Sequence, residues 1–194
     1  MFKKSFLMAA SFAVVGFSGS ALLAEGAFGL DFGQALPEKT EPVQGIQGGY
    51  SVEAPSPFPE FESYAVKYSE ATGVCMIFGF GKTYEDDEWG IQVKGSYEKL
   101  ITALSKKYGS PRRNEFLRSG ALYDESDEFS RSIDKNQRSH QAIWEIEGED
   151  PTSTSEILLS VNANWTDTWL YIHYASQDLS KCQTAIDEEA EGSL

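Results

Sequence analysis

Positive charge is scarce in this sequence. Its 194 residues include 16 Lys and Arg against 30 Asp and Glu, which gives a formal net charge of −14 at pH 7. Binding to nucleic acid or to an anionic membrane surface requires clustered cations, so neither is expected as a partner. The 41% apolar and 13% aromatic residues exclude a disordered chain, and the length suits one folded core.

Catalytic and metal-binding motifs are also missing. The two histidines, His140 and His173, belong to no His-Glu-x-x-His motif and to no Cys/His cluster with zinc spacing. Residues 79–83, Gly-Phe-Gly-Lys-Thr, end like a phosphate-binding loop, but Met76 stands where that motif needs its first glycine. The acidic clusters lack a calcium-loop pattern and are interpreted as solvated loops: 85–88, 124–128 and 145–150. We therefore predict no catalytic residue, no metal ligand and no cofactor.

The N-terminus carries the one long apolar stretch of the chain. Lys3 and Lys4 precede a run with no charged residue, which ends in small side chains. This pattern predicts a secretory signal peptide over residues 1–24, cleaved near Ala21 or Ala24, with a retained membrane anchor as the alternative. We expect a periplasmic or secreted protein with no membrane span after cleavage.

Cysteine is rare, and Cys75 and Cys182 form the only pair. An even count in an exported protein indicates a disulfide. Neither cysteine lies in a Cys-x-x-Cys motif or beside a His or Arg that would lower the pKa of the thiol, which favours a structural bridge over a reactive thiol. We expect this disulfide to attach a C-terminal helix to a sheet.

Hydrophobic periodicity predicts an α+β fold. Residues 25–60 hold five of the seven prolines and read as a Pro/Gly-rich lead-in to a single domain over 61–194. Alternating apolar residues predict strands at 61–68, 74–80, 142–146, 157–165 and 169–175. Helical spacing predicts helices at 96–108 and from Leu179 onward, and the polar segment at about 126–136 is interpreted as an optional short helix. The order β-β-α-(α)-β-β-β-α predicts an antiparallel sheet of about five strands, with helices packed on one face and one disulfide.

Short sequence elements resemble a group of small exported bacterial proteins. These elements are Phe61-Glu62-x-Tyr64-x-Val66, Gly73-Val74-Cys75, Lys107-Tyr108-Gly109, and Tyr174 ahead of Cys182, spread over about residues 45–186. The resemblance implies an exported α+β domain, and it brings no activity and no site residue with it.

Two functions are consistent with these features. Trp165 and Trp169 flank a predicted turn, and exposed aromatic rings can stack on sugars or anchor a protein interface, whereas core packing is the alternative. The favoured hypothesis is a non-catalytic interaction or binding module, with a protein partner or a small ligand in the cell envelope. The alternative is a small exported hydrolase that uses carboxylates, with His173 as an additional candidate base.

Overall fold

The computed structural model describes residues 26–192, so the predicted signal peptide at 1–24 lies outside the described residues. The strands are β1 (Glu41–Pro42), β2 (Gly49–Val52), β3 (Phe61–Ser69), β4 (Gly73–Gly81), β5 (Arg112–Leu117), β6 (Arg138–Glu145), β7 (Thr154–Asn164) and β8 (Asp167–Ser176). The helices are α1 (Ile91–Tyr108), α2 (Phe129–Asp134) and α3 (Leu179–Glu191). All strands join one antiparallel sheet in the order β1-β2-β3-β4-β8-β7-β6-β5.

The described sheet has eight strands, so the prediction of about five was too low. The five predicted strands are present as β3, β4, β6, β7 and β8. The sequence of β5, Arg-Arg-Asn-Glu-Phe-Leu, has no buried residue and gives no apolar alternation, because an edge strand needs little core contact. β1 and β2 are short and lie within the Pro/Gly-rich segment, where turn residues obscure the strand pattern.

The Pro/Gly-rich segment also contributes to the core. Leu30 and Phe32 are almost fully buried and belong to the main hydrophobic cluster. The Gly33 amide donates to the Val74 carbonyl oxygen at 2.8 Å, and the Val74 amide donates to the Gln34 carbonyl oxygen at 2.9 Å. These hydrogen bonds hold the segment against the start of β4, so residues 26–60 pack as part of the folded unit.

One face of the sheet, called here the α1 face, holds the main core. Cross-strand pairing aligns Gly79, Ile172 and Leu159 on this face. α1 buries a face of residues at helical spacing against these strands: Val93, Tyr97, Leu100 and Ile101. The helix ends at Tyr108, as predicted, because Gly109 follows with φ 80° and cannot continue it.

The third helix lies on the opposite face of the sheet. A register irregularity in β4 makes Cys75 an extra residue between the pairs Lys67–Met76 and Tyr68–Val74. Cys75 bonds to Cys182 of α3 with a Cα–Cα distance of 6.3 Å, which confirms the predicted disulfide. Cys75 and Cys182 form, with Ile186, a hydrophobic cluster separate from the main core. The prediction that all helices share one face was therefore wrong, because the bulge turns Cys75 away from the α1 face.

Candidate functional site

An apolar cavity of about 320 Å³ lies between α1, the first described residues and the sheet. Its volume lies within the range of about 300–1,000 Å³ that is typical of small-molecule sites. Lys107 is the only charged residue among the described residues that line it. The lining consists of Gly26, Ala27, Phe28, Gly29, Ser56, Phe58, Phe61, Leu100, Ala103, Leu104, Lys107, Tyr108, Ile172 and Tyr174.

The long wall of the cavity is one side of α1. Leu100, Leu104 and Tyr108 recur at four-residue spacing, so they stack along the same side of the helix. Ala103 lies at the rim and is exposed, and its methyl group leaves space that a larger side chain would occupy. The periodicity of the sequence therefore explains why these residues share one side of α1, but it does not show that a cavity lies beside them.

The floor of the cavity depends on a glycine. A Cβ atom at Gly79 would lie 3.0 Å from the Ile172 side chain and 3.1 Å from the Phe61 ring. Glycine therefore allows these two lining residues to approach each other across β4. Ile172 is paired directly with Gly79 in the β4–β8 ladder.

The short wall is a turn in an uncommon backbone conformation. Ala27 and Leu30 exchange backbone hydrogen bonds of 3.0 and 2.9 Å, and between them Phe28 has φ 58° and Gly29 has φ 77°. Two consecutive residues with positive φ favour Asn, Asp or Gly, so a phenylalanine here is strained. Its ring lies 4.8 Å from the Tyr64 ring, and packing of this kind holds the strained turn in place.

The two predicted interaction tryptophans lie in different surroundings. Trp165 occupies the β7–β8 turn with φ 58° and is 47% exposed. The Arg131 guanidinium carbon lies 5.0 Å from its ring centroid and the Lys135 ammonium lies 5.8 Å from it, which indicates cation–π contacts. Trp169 is half-buried in β8 and pairs with Asn162. The alternation of β8 places Trp169 on the opposite face, so the two rings do not form one surface.

His173 contacts the carboxylate of Glu156. Its Nε2 atom lies 3.2 Å from Glu156 Oε1, and its Nδ1 atom lies 3.3 Å from the Tyr171 hydroxyl. Burial lowers the pKa of His173, and the Glu156 hydrogen bond opposes that shift. These groups lie on the opposite face of the sheet, and none of them is among the described residues that line the apolar cavity.

His140 lies between two aromatic rings on the α1 face. Its ring centroid is 4.5 Å from that of Tyr97 and 5.6 Å from that of Phe129, and its Nε2 atom is buried without a hydrogen-bond partner. Burial lowers the pKa of His140, although Glu115, its partner in the β5–β6 ladder, raises it. Burial raises the pKa of Glu115, but hydrogen bonds from Arg113 and Tyr97 more than offset this and hold it below the ordinary value.

The low pKa values of both histidines predict a loss of stability in mild acid. The unfolded chain takes up protons first, so the free energy of unfolding is retained above about pH 6.5 and falls as the pH drops below that value. Urea unfolding at about pH 7.5 and about pH 5.5 measures this difference. In the variants His140→Gln and His173→Gln, the free energy of unfolding should differ less between the two pH values than in the wild type. If the double variant keeps the full wild-type difference, the two histidines do not cause the loss of stability.

Asp87, in the acidic cluster at 85–88, has a structural role. Asp87 is only 4% exposed, and its carboxylate accepts the backbone N–H groups of Gln92 and Val93 at 3.1 Å each. It also accepts the Thr168 hydroxyl at 2.8 Å, which ties the start of α1 to β8. The solvated-loop interpretation is therefore wrong for Asp87. Among residues 26–192, no group of three or more His, Cys, Asp or Glu is placed to hold a metal ion.

Comparisons with protein-family models, curated proteins and solved structures give no match to this chain. Within residues 26–192, no helix combines the length and the apolar character needed to cross a membrane. The function must therefore be argued from the geometry of the chain itself.

Proposed function

We propose that this protein is an exported, non-catalytic binding module that holds a small apolar molecule in the cavity beneath α1. The cavity of about 320 Å³ carries the proposal, because it combines the volume of a small-molecule site with a lining that is apolar except for a few polar groups. The apolar N-terminal stretch of the sequence supports export, and the Cys75–Cys182 disulfide fits an oxidising compartment.

The lining defines the chemistry of the ligand. Three of the aromatic rings that line the cavity lie close to one another, with the Phe28 centroid 5.5 Å from that of Phe61 and 5.7 Å from that of Tyr174. Leu100, Leu104 and Ile172 add aliphatic surface. A ligand with an uncharged aromatic or aliphatic body would bury its apolar surface here, and burial of that surface would provide the affinity.

The strained turn at Phe28 is the second support for the proposal. A glycine or asparagine would adopt φ 58° at lower cost, so the phenylalanine is unfavourable for the turn alone. Its ring forms the short wall of the cavity, which is a role that neither smaller residue could fill. Backbone strain of this kind is typical of positions that serve a binding site.

Fluorescence titration with the neutral apolar probe N-phenyl-1-naphthylamine tests the proposal. We expect saturable binding to the mature protein, and the variant Ala103→Phe should weaken it at least about tenfold because the new ring fills the rim of the cavity. Thr102→Phe is the matched control, since Thr102 is exposed on the same helix turn but does not line the cavity. Equal binding by both variants, or no saturable binding, would contradict the proposal.

A further inference from the structure

The ladder between β6 and β7 ends before either strand does. Its paired residues run from Glu145–Glu156 to Gln141–Ser160. β6 nevertheless begins at Arg138, and β7 continues to Asn164. The two strands therefore separate beyond Gln141, and a second cavity of about 270 Å³ lies at this point. We call it the β6–β7 slot.

The slot is lined by polar and cationic residues. Arg118 and Arg138 contribute two guanidinium groups, while Ser139, Gln141 and Asn162 contribute a hydroxyl and two side-chain amides. No Asp or Glu is among the described residues that line it, although the chain has 30 of them. An anion is the ligand that such a set of hydrogen-bond donors suits.

Within residues 26–192, the two arginines of the slot lack the carboxylate partners that the other arginines have. Arg112, Arg113 and Arg131 each pair with a glutamate, whereas no ion pair to Arg118 or Arg138 is formed by the described part of the chain. The Arg138 Nε atom donates to the Ser132 hydroxyl at 2.8 Å, and no carboxylate of the described residues pairs with the other nitrogen atoms of Arg138.

Two groups near the slot bear on anion binding at this place. His140 also lines the slot, and its buried Nε2 atom has no hydrogen-bond partner. Glu115 faces His140 across the ladder, but its carboxylate already accepts hydrogen bonds from Tyr97 at 3.0 Å and from Arg113 at 2.5 Å. Glu115 therefore forms its ion pair with Arg113 rather than with either arginine of the slot.

We propose that the β6–β7 slot binds the carboxylate of a small organic acid through Arg118 and Arg138. A guanidinium group matches the two oxygens of a carboxylate, and such charge-assisted bonds are strong. The apolar part of the acid would contact Phe116, which lines the slot and is 49% exposed, together with Ile133 and Val161. This site is separate from the apolar cavity and does not depend on the proposed function.

NMR titration of the ¹⁵N-labelled mature protein with benzoate tests this site at neutral pH. We expect saturable shifts of the Ser139 and Asn162 amides, and at least about tenfold weaker binding by Arg118→Gln, since one charge-assisted contact is lost. Arg138→Gln should weaken binding in the same direction. Arg112→Gln is the matched control, because Arg112 is an exposed arginine of β5 outside the slot, and its affinity should equal that of the wild type.

Several results would overturn the assignment. These are the absence of saturable shifts, shifts centred away from Ser139 and Asn162, and equal affinity of the wild type and Arg118→Gln. A second titration uses inorganic phosphate at the same ionic strength. Weaker binding of phosphate than of benzoate supports a carboxylate ligand, and tighter binding of phosphate contradicts that ligand assignment. Arg118→Gln should bind N-phenyl-1-naphthylamine as the wild type does, so failure at one site is distinguishable from failure at the other.

Discussion

Replacement of both cysteines, in the variant Cys75→Ala/Cys182→Ala, should lower the free energy of unfolding by roughly 4–5 kcal/mol. The disulfide joins residues 107 positions apart, and a loop of that length removes much conformational freedom from the unfolded chain. The helix it attaches has few other buried contacts, since Cys182 and Ile186 are the buried residues of α3. Urea unfolding of the oxidised wild type and of the double variant measures the difference.

Reduction of the wild type serves as the control for this prediction. It should produce a similar loss of stability, because it opens the same loop without changing side-chain volume. Hydrogen exchange should then accelerate first in α3, while β4 and β8 keep their protection within the sheet. A loss below about 1 kcal/mol in both experiments would show that the bridge adds little to the stability of the fold.

Replacement of Asp87 by alanine should lower the free energy of unfolding by about 3 kcal/mol. The change leaves the amides of Gln92 and Val93 and the hydroxyl of Thr168 without their acceptor, and the Val93 and Thr168 groups are buried. Asp87→Asn should cost less than Asp87→Ala, because the asparagine side chain keeps one acceptor oxygen. It should still destabilise the fold, since hydrogen bonds to a charged acceptor are stronger than those between neutral groups.

The exposed neighbour Glu85 provides the matched control. Glu85→Ala removes a carboxylate from the same acidic cluster and should change the free energy of unfolding by less than about 0.5 kcal/mol. Thermal or urea unfolding of the three variants gives the comparison. Similar effects of Glu85→Ala and Asp87→Ala would contradict the role of Asp87 as the acceptor that joins α1 to β8.

The sequence predicts a local element well where apolar periodicity and the residues that end the element lie next to each other in the chain. The apolar spacing over 96–108 and the Gly109–Pro111 stop predict the end of α1 correctly. The start of α1 was misplaced at Ser96, because the acceptor that supports its first turn is Asp87, which precedes the helix and reads as part of a charged loop. Local periodicity cannot reveal a carboxylate that becomes buried through contacts with a distant strand.

The sheet edges and the candidate sites follow from long-range pairing that the sequence does not show. β5 lacks an apolar face, and only its pairing with β6 makes it a strand. The apolar cavity joins Phe28, Phe61, Leu100 and Ile172, which come from four separate parts of the chain. The two tryptophans that aromatic content singles out line neither this cavity nor the β6–β7 slot.

The most direct test of the proposed binding function is to locate the bound probe. Methyl-labelled protein, saturated with N-phenyl-1-naphthylamine, should give nuclear Overhauser contacts from the probe rings to the methyl groups of Leu100, Leu104 and Ile172. Those three side chains line the cavity and come from both α1 and β8, so joint contacts can arise only from inside it. Contacts confined to other methyl groups, such as that of the exposed Leu122, would contradict the binding site proposed beneath α1.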